Sequence, residues 1–219
     1  MAPRHTSPEP RGYTMRARQE SVEQTRLRIT EAIMRLHEHV GPAATTVSAV
    51  ADLAGVTRLT VYRHFPDEES LVKACSGHWG ALHPRPDPAA WASIDDPLRR
   101  LRAALSDTYT WSRHAAPMMT KIYRDLHVMP AFVSEYLSQD QQSRVAILSK
   151  GFPASGRNTQ RLHTVLAHAL DFRTWHSLCV LGELRDDEAM QLMTATVSAA
   201  VHTPAPTPNR RSPPAPPHR

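Results

Sequence analysis

Arg58, Leu59, Thr60, Tyr62, Arg63 and His64 share one short segment, and on an outer surface all but the apolar Leu59 could donate to phosphates and base edges. Their spacing leaves them around a helix that buries only Val61 and Phe65, four residues apart. Just before it, Thr46 is a good N-cap, and Val47, Val50, Ala51 and Ala54 recur at helical spacing, so a two-turn helix packs one face inward. Gly55 then ends that helix, and Thr57 caps the next, which runs to about Phe65. Helix, short glycine turn, helix is the arrangement whose second helix enters the DNA major groove, its N-terminal residues nearest the base edges. A generic amphipathic hairpin has the same local signature, and the segment alone leaves both open.

The wider run from Thr25 to Leu71 resembles the N-terminal domain of TetR-family transcriptional regulators. The resemblance is carried by Thr45-Thr46, by Ala54-Gly55-Val56 and by Tyr62-Arg63-His64-Phe65, with a weaker echo at Phe172-Arg173-Thr174-Trp175. The chain departs from the family pattern at His37, where Phe is common, at Pro42, where an aromatic is common, and at Glu68, where Lys is common. What the resemblance implies is a set of DNA contacts: Thr46, Thr57, Arg58, Leu59, Thr60, Tyr62, Arg63 and His64. In that set Thr46 and the helix-start amides hold a phosphate, aided by the helix dipole. Arg58 makes two hydrogen bonds to a guanine edge, and Leu59 and Thr60 touch a thymine methyl or base edge. Tyr62 and His64 take phosphates or adjacent bases, and Arg63 adds charge along the backbone.

Charge alone does not make that case. The chain of 219 residues carries +5, but residues 1–19 hold +3 and residues 203–219 another +3, whereas 20–79 hold −2 and 80–202 hold +1. The excess lies in the ends, so the placing of Arg58, Arg63 and the N-terminal arginines has to supply the electrostatics.

Taken in order, residues 1–19 have no helical period and read as a flexible basic arm, either inert or able to bring Arg4, Arg11, Arg16 and Arg18 to phosphates. A first helix is expected from near Glu20 to Val40, with Ile29, Ala32, Ile33, Leu36 and Val40 in one stripe. Asp67 caps a further helix to about Trp79, which completes a three-helix DNA-binding domain over 20–79 with its connecting helix. Gly80 and the prolines 84, 86 and 88 make 80–95 a loop or linker. Asp96-Pro97 starts a helix expected to end near Ala115-Ala116, Pro117 starts a short one to about His127, and Met129-Pro130 starts another to Gly151. A long helix is expected from Thr159 to Val180, and a last one after Asp186. No strand alternation appears, so the fold class is all-α, with a C-terminal helical domain over 96–202 for ligand binding and dimerisation. Residues 203–219 hold seven prolines and read as an extended, disordered tail.

In the second domain Tyr109, Trp111, His114, Met118, Met119, Tyr123, His127, Phe132 and Trp175 are the candidates to line an effector cavity; residues of these types serve equally as plain core. The resemblance makes a small-molecule effector the expectation and assigns the last two helices to a two-fold dimer interface. A dimer calls for a double-stranded DNA operator with two-fold symmetry. The expected function is a homodimeric repressor released by its effector, although an activator has the same sequence. The alternative is a helical small-molecule-binding or protein-interaction module that has lost specific DNA binding, in keeping with Glu68 and the −2 charge.

Catalysis is not expected, since no serine elbow or phosphate-binding glycine loop is present. No metal or other cofactor is expected: no HExxH occurs, and His163 and His168 diverge on a helix. Cys75 and Cys179 read as ordinary buried thiols of a reducing compartment. With no run of about 18 apolar residues and no apolar secretion segment between Met1 and Glu20, the expected location is the cytoplasm.

Overall fold

Apolar residues three and four apart along the first helix bury Ile29, Ala32 and Ile33. The computed structural model describes residues 11–154 and 156–202, and in it this helix, α1, spans Arg11–His39. Its start precedes the stripe. Residues 11–19 have no apolar period, which is why the sequence sets the start near Glu20, yet they are helical, with Arg16 and Glu20 paired one turn apart at 3.5 Å. Arg4 and the 203–219 tail lie outside the described residues.

Three shorter helices follow, each with the cap its sequence offers. Thr46 accepts from the Ala49 N–H at the head of α2 (Val47–Ala54), Thr57 from the Thr60 N–H at the head of α3 (Arg58–His64), and Asp67 from the Ser70 N–H at the head of α4 (Glu68–Leu82). Gly55 between α2 and α3 is left-handed at φ 65°, ψ 40°, a conformation glycine adopts without strain. α4 runs past Gly80 to Leu82 rather than ending at Trp79. One mid-helix glycine costs only about 1 kcal/mol, and the buried Trp79 and the His83 N–H bond to its carbonyl carry the helix on.

The expected linker contains a short helix, α5 (Pro88–Ala92), started by Asp87. α6 (Pro97–Arg124) begins where Asp96 Oδ1 accepts from the Arg99 N–H at 2.6 Å, but it does not stop at Ala115-Ala116. Pro117 lies inside it with its ring exposed, while Ala115, Met118 and Met119 are buried on either side. α7 spans Ala131–Leu148 and α8 Arg157–Leu170. The helix expected as far as Val180 breaks at Asp171, which is extended and caps α9 (Phe172–Trp175) through the Arg173 N–H; a π-turn, His176–Leu181, continues it. α10 (Asp186–His202) closes the described chain. No strand occurs among the described residues, and none of their helices is long and apolar enough to cross a membrane.

The chain divides into two compact units, one of Met1–Pro86 with Thr110–Asp140, the other of Asp87–Tyr109 with Gln141–Arg219. In the first, α2, α3 and α4 pack on α1 around Ile29, Ile33, Val50, Val61 and Phe65, all at most 2% exposed. In the second, α8 packs on α10, and Trp91, Leu101, Leu105, Tyr109, Leu162 and Leu166 are fully buried. Two polar side chains of that core are paired: Trp91 donates to Asp107 at 2.8 Å, and Arg100 donates to the Ile94, Asp95 and Lys150 carbonyls.

Candidate nucleic-acid interface and cavity

Capping leaves the outer side of α3 open. Arg58, Tyr62 and Arg63 are exposed, and Leu59 is 78% exposed, more than any other large apolar side chain among the described residues. Thr46 and Thr57 are exposed and serve as caps. Thr60 is half-buried, and its hydroxyl lies 3.0 Å from that of Thr57, so the two brace the first turn of α3. His64 is half-buried; burial lowers its pKa first, and the positive charges of Arg63 and Arg26 lower it further. All eight residues expected at this surface therefore sit on one helix-turn-helix, with Thr60 and His64 partly covered.

A residue the sequence did not single out sets the far end of α3. Arg26 of α1 donates to the His64 carbonyl at 2.8 Å and stacks its guanidinium 4.2 Å above the Phe65 ring. A hydrogen bond from a charged donor contributes about 1.5–3 kcal/mol. Arg26→Ala is expected to destabilise the unit by about that amount, read as a lower denaturant midpoint with unchanged slope.

At the other end of this helical cluster, α6 grips the turn between α1 and α2. Asp125 Oδ2 accepts from the Ala43 N–H at 3.0 Å, Arg124 donates to the Val40 carbonyl at 2.8 Å, and the two side chains form a bidentate pair at 2.7 and 2.8 Å. Gly41, at φ 92°, permits this approach, since a Cβ there would meet the Arg124 guanidinium and lie 2.6 Å from Asp125 Oδ2. Arg124 chiefly, with the Ala43 N–H, holds the Asp125 carboxyl down at about 2. A depressed carboxylate contributes stability that is complete above the unfolded value near 4 and is lost as pH falls toward 2. Thermal midpoints between pH 5 and 2.5 are expected to fall less steeply for Asp125→Asn than for the parent, and the variant is the less stable at pH 7.

Within the same unit α4, α6 and α7 enclose a cavity of about 450 Å³. Met118, Met119 and Phe132 line it, as expected from sequence, together with His37, Cys75, Trp79, His83 and Arg85, which were not among the candidates. Trp111 does not line it but lies under the Arg85 guanidinium at 4.4 Å. Tyr109 and Trp175 are buried in the other unit, bonded to the Ala169 carbonyl and to Asp186, whereas His114 and His127 are exposed and Tyr123 half-buried away from the lining. Cys75 and His37, 38 residues apart, meet at 3.8 Å. Burial pushes the thiol up to about 12 and the imidazole down to about 4, so both are neutral at pH 7. No cluster of His, Cys, Asp or Glu able to hold a metal occurs among the described residues.

Residues 29–75, which contain α2 and α3, match the family described as bacterial regulatory proteins, tetR family. The HTH-type transcriptional regulator TtgR of Pseudomonas putida is 32% identical over 153 residues, covering 67% of this chain and 71% of that protein. A TetR transcription regulator from Haloarcula marismortui has the same fold, with a TM-score of 0.52 at 18% identity over 82% of this chain and 96% of that one. With the capped helix-turn-helix and a relative alike over two thirds of its length, the chain belongs to the TetR family of DNA-binding transcriptional regulators.

Proposed function

We propose that the protein is a homodimeric repressor that binds a two-fold symmetric double-stranded operator through α2 and α3 and leaves it when a small molecule fills the cavity. The observation that carries the reading is the open face of α3, where Arg58, Leu59, Tyr62 and Arg63 are exposed on a helix braced at both ends. Arg58 is the base reader, with two donors for a guanine edge, and Leu59 offers an apolar surface to a thymine methyl. His64 donates a ring N–H to a phosphate. α8 and α10 form the dimer surface; Leu192 of α10 and the adjacent Val180 and Leu181 are exposed apolar side chains in keeping with a covered face. Such a protein works beside the chromosome, in the cytoplasm.

Two copies related by a dyad place their reading helices one turn of DNA apart, about 34 Å, and a ligand that favours another separation releases the duplex. Coupling of the cavity to DNA runs through shared elements, since α6 lines it with Met118 and Met119 and ends in the Arg124–Asp125 grip. Selection from a random duplex pool at near-physiological salt tests the reading. An enriched palindrome supports it; a folded dimer that enriches nothing favours a module without specific DNA binding.

A further inference from the structure

We propose that the cavity takes a neutral, flat aromatic molecule and rejects an anion of the same shape, a specificity that rests on the effector reading above. Its volume of about 450 Å³ suits a small organic ligand, and sulfur and ring side chains, Met118, Met119, Met129, Trp79 and Phe132, make up much of its wall beside Ile122, Val133 and Leu137. Such walls offer dispersion and ring contacts and no counter-charge. Among the described lining residues Arg85 is the one Lys, Arg, Asp or Glu, and its charge is already matched. It donates to Asp140 at 2.8 Å, with both side chains about one-fifth exposed, while Trp111 and Tyr136 lie 4.4 and 5.8 Å from its guanidinium. An entering anion would meet the Asp140 carboxylate beside the Arg85 guanidinium.

Several polar groups at or behind this wall are likewise engaged. Trp79 donates its indole N–H to Glu38 at 3.1 Å, the Trp111 indole N–H goes to the His83 carbonyl at 3.2 Å, and the His37 ring faces the Cys75 thiol. Burial keeps His37 unprotonated and Cys75 protonated at pH 7, so neither supplies a charge. An ion would therefore give up its hydration without meeting an unmatched counter-charge, whereas a neutral ring gives up little.

Two dyes of nearly one shape test this. N-phenyl-1-naphthylamine is neutral, and 1-anilinonaphthalene-8-sulfonate adds one sulfonate to the same scaffold. In fluorescence titrations of the full chain at pH 7.5 the neutral dye is expected to bind at least roughly tenfold more tightly. Met119→Trp, which fills the cavity, is expected to abolish that binding. Asp140→Asn, which removes the carboxylate from Arg85, is expected to raise affinity for the sulfonate several-fold and to leave the neutral dye within about twofold. Equal or tighter binding of the sulfonate by the parent, which requires no variant, overturns the proposal, as does neutral-dye binding that ignores Met119→Trp. Release of a labelled operator is read separately by anisotropy. Preference for the neutral dye with the operator retained upholds the ligand class and overturns the effector reading; release by the sulfonate rather than the neutral dye does the reverse.

Discussion

Acidification from pH 7 to pH 4 is expected to remove about 3 kcal/mol of folding stability through His37 alone. Burial lowers this imidazole to about 4, with the Asp125 carboxylate opposing in part, whereas an unfolded histidine titrates near 6.5. Above pH 7 neither state is protonated and the difference vanishes. Below the unfolded value the unfolded chain takes up a proton that the native ring refuses, so stability falls by about 1.4 kcal/mol per pH unit until the native ring also protonates near pH 4. Urea unfolding at pH 7 and at pH 4.5 for the parent and His37→Leu checks this. The variant, which cannot titrate, is expected to lose less stability on acidification, whatever its starting value; parallel losses would show that His37 is already charged in the fold.

Phe65→Ala is expected to destabilise the DNA-binding unit by about 3–5 kcal/mol, the range for deleting a buried aromatic ring. Phe65 is 1% exposed, closes α3 through its N–H bond to the Val61 carbonyl, and lies beneath the Arg26 guanidinium. Truncation removes core contacts and the platform of Arg26 together, so a loss at the upper end is anticipated. A stability of about 5–15 kcal/mol for the chain leaves little margin for this. Chemical denaturation monitored by circular dichroism gives the value, and a loss under about 1 kcal/mol would contradict the packing of α3 on α1.

Both effects arise in a region whose local structure was legible from sequence, and the contrast with the rest has physical causes. Thr46, Thr57 and Asp67 could be read as caps because each precedes an apolar period, and Gly55 follows the last periodic residue. Pro117 misled because the local penalty of proline is visible in sequence while the burial of Ala115, Met118 and Met119 that overrides it is not. Asp171 misled in the opposite direction. The apolar period runs unbroken from Leu162 to Trp175, and only the bond from the Arg173 N–H to Asp171 marks the break. Residues 11–19 have no apolar period, and 15–19 are exposed, so periodicity could not report their helix.

The placing of the side chains on α3 was legible for the same reason as the caps: their type and their distance from Gly55 are properties of one short segment. The cavity was not. His37 and Cys75 each look like core, and no spacing signals that residues 38 apart share a wall with Arg85 and Met118. Arg26 likewise declares its part only once α1 lies beside the end of α3.

The most direct measurement compares the parent, Arg58→Ala and His64→Ala on the selected operator and on each of its single-base-pair variants at one fixed salt concentration. If α3 reads bases, Arg58→Ala loses about 1–3 kcal/mol on the operator and ceases to discriminate at one base pair in each half-site, whereas His64→Ala weakens every duplex by the same factor. Uniform weakening of all duplexes by Arg58→Ala, with the operator's preferences intact, would contradict base reading by this helix.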